Sequence, residues 1–290
     1  MSEVSGRPAD AGDAVSQSLS RIVDQLDATL GPALLDRPDA VHAHRKAVRR
    51  LRSTLAAYRP FFDDDAVRRL HHTYRDWGGE LGEARDLEVR IAVAQRFLDP
   101  EADPAAAPML DALTAAYASA HRRVARRGVT AVARRRRADL AAFLEAPPRT
   151  AKAARRTKRD LRRRLVKEGE HVLRRAETAT AAVEDDVALH ELHELRKAAR
   201  RLRYAVESVT RPPVDLFGAA ATALAESAER IHDLLGDVRD TLAFADAYER
   251  ATAADADTTP AVRARAEAAE RLDVLPAAVD DLREALAQFR

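Results

Sequence analysis

One basic segment occurs twice in this chain, and it constrains the possible folds more than any other feature. The first copy covers residues 41–52 and reads VHAHRKAVRRLR, and the second covers residues 192–203 and reads LHELRKAARRLR. Their histidines, His42 and His193, are 151 residues apart, and the arginines and the lysine that follow keep the same offset. Such a shared register indicates that one structural unit is present twice.

A second matching element follows each copy. It reads LGEARD at residues 81–86 and LGDVRD at residues 235–240. We therefore predict two similar halves, 13–148 and 149–290. Residues 1–12 are small and polar without periodicity, which is typical of a disordered terminus.

The composition and the spacing of breaks predict an all-α fold. Gly accounts for only 10 of 290 residues, and the long stretches between Pro and Gly pairs are rich in Ala, Leu, Arg and Glu, which favour helices. Four helices are predicted in each half, at 13–30, 40–58, 64–98 and 109–145 and then at 150–180, 184–208, 215–250 and 259–289. Interruptions are expected at Gly78-Gly79 and at Pro276.

Several classes of protein are disfavoured by what the sequence lacks. The absence of Cys excludes disulfides, thiol nucleophiles and zinc–thiolate sites. No apolar run approaches the roughly 18 residues of a membrane helix, and the first residues lack the charged-then-apolar pattern of a signal peptide. We expect a cytoplasmic protein with no membrane association, no metal and no cofactor.

The positive charge is concentrated in four segments although the net charge is only +2. Together, residues 41–52, 121–137, 149–175 and 192–203 contain 30 of the 49 Lys and Arg residues. Of these 49 cations 44 are Arg, whose planar fork suits bidentate contacts to phosphate oxygens. The segregation predicts an acidic partner.

On a helix, the repeated segment places its cations on one face. With an advance of about 100° per residue, His42, Arg45, Arg49 and Arg52 lie within about 80° of one another, with Lys46 at the edge. The candidate binding residues of the two copies are His42, Arg45, Lys46, Arg49, Arg50, Arg52, His193, Arg196, Lys197, Arg200, Arg201 and Arg203. The first copy contains no carboxylate, so its face favours an outside anion. The alternative is pairing with acids of another helix, with Asp86 and Asp240 as candidates.

A further positive stripe is predicted between the two copies. Its cations recur at helical spacings, and they either line the same groove or cover a solvated helix face. The members taken as candidate binding residues are Arg134, Arg137, Arg156, Arg159, Arg163 and Lys167.

The scarcity of aromatic residues narrows the kind of polyanion. Single-strand binders place aromatic platforms among their cations, but aromatics total 13 of 290 residues, and none lies in 41–52, 121–137 or 149–175. The pattern supplies phosphate contacts without base contacts. Inorganic polyphosphate fits this description, and nucleic acid is expected only as a weaker, nonspecific competitor.

The two basic copies and the two LG…RD elements resemble the CHAD family, the conserved histidine α-helical domain, over residues 13–290. The resemblance implies two similar four-helix bundles related by a pseudo-twofold axis around a basic groove that binds polyphosphate. It also implies association with polyphosphate granules and, through them, with granule proteins. The chain looks like a stand-alone member without the strand-rich triphosphatase-type domain that often accompanies this fold.

Two other functions compete with binding alone. His190, His193 and Glu194 are spaced so that they could share a divalent ion, but neighbouring arginines would oppose a cation. A phosphohydrolase or accessory role through His42 or His193 would need an oriented nucleophile, and the sequence shows no such constellation. We therefore expect no catalysis.

Overall fold

The computed structural model of this chain describes residues 8–99, 101, 103–154, 157–182, 185–252 and 257–290. These residues form ten α-helices and one short 3-10 helix, Arg59–Phe61. The α-helices are α1 (Ala11–Leu34), α2 (Ala40–Tyr58), α3 (Asp64–Phe97), α4 (Ala106–Gly128), α5 (Ala131–Glu145), α6 (Thr157–Ala181), α7 (Asp185–Thr210), α8 (Ala219–Ala251), α9 (Thr259–Leu272) and α10 (Leu275–Phe289). An isolated bridge between Phe62 and Arg149 is the one β-type pairing in this part of the chain. The predicted all-α class is confirmed.

Each half contains five helices, so the prediction of four was wrong. The helix expected over 109–145 is divided into α4 and α5, because Thr130 begins a new helix. Its backbone is extended (φ −67°, ψ 166°), and its hydroxyl accepts a hydrogen bond from the Ala133 amide at 3.2 Å. The helix expected over 259–289 is divided at Asp273 and Val274, which confirms the interruption expected at Pro276. Pro276 lies in the first turn of α10, where a missing N–H costs nothing.

Other boundaries differ because Gly and Pro are tolerated where the chain was expected to break. Helix α3 runs without interruption through Gly78, where a β-carbon would lie in ordinary contact, 3.4 Å from Val48 Cγ1 of α2. Helix α1 passes through Pro32, because proline loses only its own donor while its carbonyl still accepts from the Leu35 amide at 3.2 Å.

Helix α1 begins earlier than the sequence predicts. Asp10 caps α1 by accepting a hydrogen bond from the Asp13 amide at 2.7 Å, so that Ala11 and Gly12 are helical and not disordered as predicted. The predicted disorder of residues 1–7 concerns a segment outside the described residues.

Helices α2 and α7, which carry the two basic copies, pack against each other at the centre of the molecule. Their apolar stripes are fully buried: Leu51 and Leu55 in α2 and Leu202 in α7 each have 0% exposure. The Tyr58 hydroxyl donates a hydrogen bond across this interface to the Ala205 carbonyl at 2.7 Å. One hydrophobic core therefore extends through both halves, and the predicted pseudo-twofold relation between the halves stays a prediction.

A smaller core lies at the far ends of α3 and α8. Phe97 of α3 stacks on Phe244 of α8 with ring centroids 5.2 Å apart, and Ala261 and Ala264 of α9 close the cluster. This packing fixes α3 against α8. The four helices that carry the repeated motifs, α2, α3, α7 and α8, are thereby held together.

Candidate anion-binding site

A cavity of about 380 Å³, here the central cavity, lies between α2, α3, α7 and α8. Both LG…RD elements and both basic copies contribute to its wall. The polar residues that line it are His42, Arg45, Arg49, Arg85, Asp86, Glu88, Arg96, Arg196, His232, Asp233, Asp237, Arg239 and Asp240. Sequence elements far apart in the chain thus meet at one place.

A second cavity of about 240 Å³, here the side cavity, adjoins the first. Arg49 lines both cavities and joins them. The other charged or histidine residues around the side cavity are Arg52, His71, His171, Glu194, Lys197, Arg200 and Arg201. With five cations and one carboxylate among the described lining residues, the side cavity is the more positive of the two.

The glycines of the two LG…RD elements make room for two arginines. An added β-carbon at Gly82 would lie 3.3 Å from Arg45 Nη2, and one at Gly236 would lie 3.0 Å from Arg196 Nη2. Each guanidinium therefore packs directly against the backbone of the facing helix. This contact explains why the basic copies and the LG…RD elements occur as pairs.

Part of the central cavity is neutralised by carboxylates. Asp86 Oδ1 lies 3.6 Å from Arg45 Nη2 and 4.0 Å from Arg239 Nη2, and so connects α2 with α8. Asp240 pairs with Arg239 at 2.6 Å, and Glu88 with Arg85 at 2.9 Å. The alternative raised by the sequence, pairing of the basic copies with Asp86 and Asp240, therefore holds for Arg45 with Asp86, whereas Asp240 pairs with its neighbour Arg239.

Four arginines form a different group, because none has an ion pair among the described residues. They are Arg49, Arg52, Arg196 and Arg200. The Nε atoms of Arg49, Arg52 and Arg196 are buried without a hydrogen-bond partner in this part of the chain. Converging cations without counter-charges make a site that an anion would stabilise.

The pKa values of these arginines reflect that lack of counter-charge. Burial, together with repulsion from Arg239 and Arg49, lowers the pKa of Arg196 to about 10. Burial and repulsion from Arg49 and Arg196 lower the pKa of Arg200 to about 9. Both side chains are still charged at neutral pH, so their mutual repulsion persists when no anion is bound.

The histidines of the basic copies are less basic than a histidine side chain in water. Burial, followed by the charge of Arg85, lowers the pKa of His42 below its usual 6.5. Partial burial, followed by the charge of Lys197, does the same for His193, which lies at the surface and lines neither the central nor the side cavity. Both imidazoles are therefore neutral at pH 7 in the free protein, and each can donate only one hydrogen bond.

Two predicted binding residues are engaged elsewhere. Glu207, only 4% exposed, accepts from Arg203 Nε at 3.0 Å and also pairs with Arg50. Arg203 forms a further ion pair with Glu229. Neither Arg50 nor Arg203 lines the central or the side cavity, because a buried carboxylate on α7 holds them in the interior.

The same pairing makes the two basic copies unequal. The residue that corresponds to Glu207 in the first half is Ala56, at the 151-residue offset of the basic copies. The residue that corresponds to Glu229 is Arg75, at the 154-residue offset of the LG…RD elements. Arg52, the counterpart of Arg203, is thus left beside Arg75, and burial followed by that charge lowers its pKa. Arg52, which has no ion pair among the described residues, lines the side cavity.

Other predicted residues lie at the margin of the site or away from it. Lys197 and Arg201 line the side cavity but pair with Glu194 at 2.6 Å and Glu168 at 2.5 Å. Lys46 is half-buried and lines neither cavity.

The stripe predicted between the two copies does not contribute to these cavities in the part of the chain that is described. Arg134 is exposed and donates to the Val129 carbonyl at 3.0 Å, and Arg137 lines a separate cavity. Arg159, Arg163 and Lys167 lie on the exposed face of α6. For these three residues, the second possibility given in the sequence analysis, a solvated helix face, is the one observed. Arg156 lies outside the described residues.

Three histidines that line the two cavities lie outside the repeated motifs. His232 is 3% exposed, its Nδ1 has no hydrogen-bond partner among the described residues, and burial followed by the charge of Arg196 lowers its pKa to about 2. Its position one helical turn before Gly236 was a usable signal that the sequence analysis missed. His71 and His171 reach the side cavity from α3 and α6 and share no motif with α2 or α7.

Metal clusters and membrane spans are both absent from the described residues. No group of three or more His, Asp or Glu side chains there could hold a metal ion. None of the described helices combines the length and the apolar character needed to cross a bilayer.

Comparisons with known proteins identify the family and support the fold. The family model of the CHAD domain matches residues 17–249. The chain is similar to the structure of PptA from Streptomyces chartreusis, with a TM-score of 0.68 and 19% identity over 95% of this chain and 99% of that chain. It is also similar to the CHAD domain from the plant Ricinus communis, with a TM-score of 0.66 and 19% identity over 100% of this chain and 98% of that chain. At this identity the two structures show a shared fold. No curated protein sequence matches the chain.

Proposed function

This chain belongs to the CHAD domain family, and on that premise we propose that it binds inorganic polyphosphate along the central and side cavities without turning it over. The observation that carries the proposal is the convergence of Arg49, Arg52, Arg196 and Arg200 without an ion pair in the described part of the chain. Phosphate oxygens supply the missing acceptors for their guanidinium groups.

The connection of the two cavities favours a linear polyanion over a single phosphate. Arg49 lies at the junction, with Arg196 on the central side and Arg52 on the other. A chain of phosphates passing this junction contacts cations on both sides. The net positive charge of the side cavity attracts the chain, and the carboxylates of the central cavity hold Arg45 and Arg239 in place.

The wall of these cavities favours polyphosphate over nucleic acid. Among the described lining residues there is no Phe, Tyr or Trp on which a base could stack. Tyr204, at the end of the second basic copy, is 1% exposed and belongs to the core. Nucleic acid then binds through its phosphates alone, as a weaker competitor.

We propose binding without catalysis because the two candidate histidines are not positioned for phosphoryl transfer. A nucleophilic or acid–base imidazole needs a partner that fixes its tautomer. Neither His42 nor His193 has such a hydrogen bond within the described residues. In this proposal both donate a hydrogen bond to phosphate, and in the cell the bound polymer takes the protein to polyphosphate granules and their proteins.

The decisive experiment compares three polymers at about 150 mM salt, where phosphate contacts still discriminate between ligands. Wild type, Arg196→Ala/Arg200→Ala and the control Arg159→Ala/Arg163→Ala are titrated with polyphosphate, single-stranded DNA and RNA. We expect polyphosphate to bind most tightly, and only the first variant to lose affinity. Equal binding of all three polymers, or equal loss in both variants, contradicts the proposal.

A further inference from the structure

A third cavity, here the aromatic cavity, lies between α1, α3 and α5 and has a volume of about 290 Å³. It shares no lining residue with the central or side cavity. Its wall is mostly apolar, with Leu26 and Leu30 from α1, Tyr74 and Trp77 from α3, and Leu140 from α5. A volume near the lower limit for ligand sites suits a small molecule.

A buried arginine without a counter-charge lines this cavity. Arg136 is only 7% exposed, and its guanidinium carbon lies 4.4 Å from the ring centroid of Trp77 and 5.8 Å from that of Tyr74. The described residues offer it neither an ion pair nor a hydrogen bond. Contact with the ring faces offsets only part of the cost of burying a guanidinium, and the remainder favours an anion in the cavity.

A second guanidinium reaches the same cavity. The Nη1 atom of Arg137 is buried with no hydrogen-bond partner in the described part of the chain. Asp27 is the one carboxylate among the described lining residues, and it lies beyond ion-pair distance of both arginines. Two guanidinium groups and one carboxylate leave a formal charge of +1, which matches a ligand with a single negative charge.

The apolar wall is held in place by a hydrogen-bond chain. The indole N–H of Trp77 donates to His44 Nε2 at 3.0 Å, so the proton of the neutral imidazole is on Nδ1 and points to Thr29 Oγ1 at 2.9 Å. Thr29 in turn donates to the Gln25 carbonyl at 2.6 Å. The indole is therefore fixed before any ligand enters, which lowers the entropic cost of binding.

The first half alone carries these residues in the repeated register. At the offset of the two basic copies, Leu195 stands in α7 where His44 stands in α2, and Leu195 is fully buried in the core. The hydrogen bond from the indole of Trp77 to His44 therefore has no counterpart at Leu195.

We propose that the aromatic cavity binds a small organic monoanion, a carboxylate with a compact apolar body. The carboxylate lies against Arg136 and Arg137, and the body packs on Trp77 and the leucines. A phosphate ester is excluded by charge, because it carries about 1.5 to 2 negative charges at neutral pH and would face Asp27 in an apolar wall. This site is independent of the proposed polyphosphate binding.

Trp77 is the only tryptophan of the chain, so its fluorescence reports on this cavity directly. The full chain is titrated with benzoate, with hexanoate, with the uncharged benzyl alcohol and with inorganic phosphate, up to about 10 mM. We expect saturable fluorescence changes with the carboxylates, and benzyl alcohol to bind at least about tenfold more weakly. No saturation by either carboxylate, equal binding of benzyl alcohol, or tighter binding of phosphate overturns the proposal.

The variant Arg136→Met tests the assigned contact. It keeps an unbranched apolar side chain near Trp77, and we expect it to remove the preference for benzoate over benzyl alcohol. Arg134→Ala, an exposed neighbour on the same helix, is the matched control and should keep that preference. If Arg136→Met does not fold, Arg137→Met is measured instead, and an unchanged preference in a folded variant contradicts the assignment.

Discussion

The guanidinium of Arg196 packs so closely on Gly236 that a β-carbon at residue 236 would lie 3.0 Å from Nη2. A methyl group at this position makes the guanidinium shift by a few tenths of an ångström from its place on the wall of the central cavity. We predict that Gly236→Ala lowers the affinity for polyphosphate about tenfold, the size expected when one charge-assisted contact is lost. Titration of the folded variant measures this loss.

Gly79→Ala is the matched control for that variant. Gly79 also lies inside a long helix, but a β-carbon added there would have no neighbouring atom within 4 Å. We expect unchanged affinity and a gain of about 0.5 to 1 kcal/mol in the free energy of unfolding, because alanine stabilises a helix interior relative to glycine. Similar affinities for the two variants would show that the Arg196–Gly236 contact does not position a binding residue.

The salt dependence of binding should report the number of phosphates contacted. For a single-stranded polyanion the log–log slope is about −0.7 per contact, so six contacts give roughly −4. Removing Arg196 and Arg200 together should reduce the slope by about 1.4 units. A slope that is flat for wild type, or unaltered in the double variant, would be incompatible with contact by these arginines.

Affinity for polyphosphate should rise on acidification. The pKa values of His42 and His193 lie below 6.5 in the free protein, and a bound polyanion raises them. Binding then takes up protons, so affinity increases as pH falls through the pKa values of the complex and levels off below those of the free protein. Titrations between about pH 5 and 8 measure this. His71 and His171 of the side cavity also have lowered pKa values, through burial and neighbouring arginines, and contribute to the rise. His42→Gln/His193→Gln should therefore reduce the rise without abolishing it, and an unchanged rise would show that these two histidines take no part.

The buried ion pairs of Glu207 with Arg50 and Arg203 should contribute to the free energy of unfolding and not to the affinity for polyphosphate. Burial raises the pKa of Glu207, but Arg50, Arg211 and Arg203 outweigh it, and the pKa lies below its usual value. The stabilisation is therefore present above the unfolded-state pKa and is lost as pH falls through the folded-state value. Glu207→Gln should cost about 3 kcal/mol in urea unfolding at pH 7, since it leaves buried cations unpaired.

The exposed pair formed by Glu194 and Lys197 supplies the comparison for Glu207. Glu194→Gln should change the free energy of unfolding by less than about 1 kcal/mol, as is usual for solvent-exposed ion pairs. A comparable loss of stability in both variants would mean that burial of Glu207 is not the cause.

A carboxylate introduced into the side cavity should form ion pairs with the arginines there, as Glu207 does with Arg50 and Arg203. Ala56 lines that cavity at the position that corresponds to Glu207. We predict that Ala56→Glu pairs with neighbouring cations and weakens polyphosphate binding about tenfold or more. Ala56→Gln, of equal size and without charge, separates electrostatics from steric blocking. Equal weakening by both substitutions would show that space, and not charge, limits binding.

Much of the site could be predicted because it follows from helical periodicity. His42, Arg45 and Arg49 share one face of α2, and they line the central cavity together. Asp86 was named from the sequence as a candidate partner of these cations, and it lies 3.6 Å from Arg45. Local spacing and a repeated register were enough for these residues.

The remainder depended on contacts between distant segments. Arg50 and Arg203 belong to the basic copies and were therefore predicted to bind the ligand, but both form ion pairs with Glu207. The spacing of residues within each copy does not reveal these ion pairs. The break between α4 and α5 depends on one threonine cap, and periodicity continues through it. His171 lies on a helix with no repeated motif, and its place beside the cavity is set by packing alone.

The shared core has a consequence for how the molecule assembles. Leu51 and Leu202 belong to one continuous hydrophobic cluster, and the Tyr58 hydroxyl is hydrogen-bonded to the backbone of the other half. Neither half buries its own apolar surface when separated from the other. Two fragments produced by cutting the connection between α5 and α6 would therefore complement each other, and restored binding would depend on fragment concentration as it does in a heterodimer.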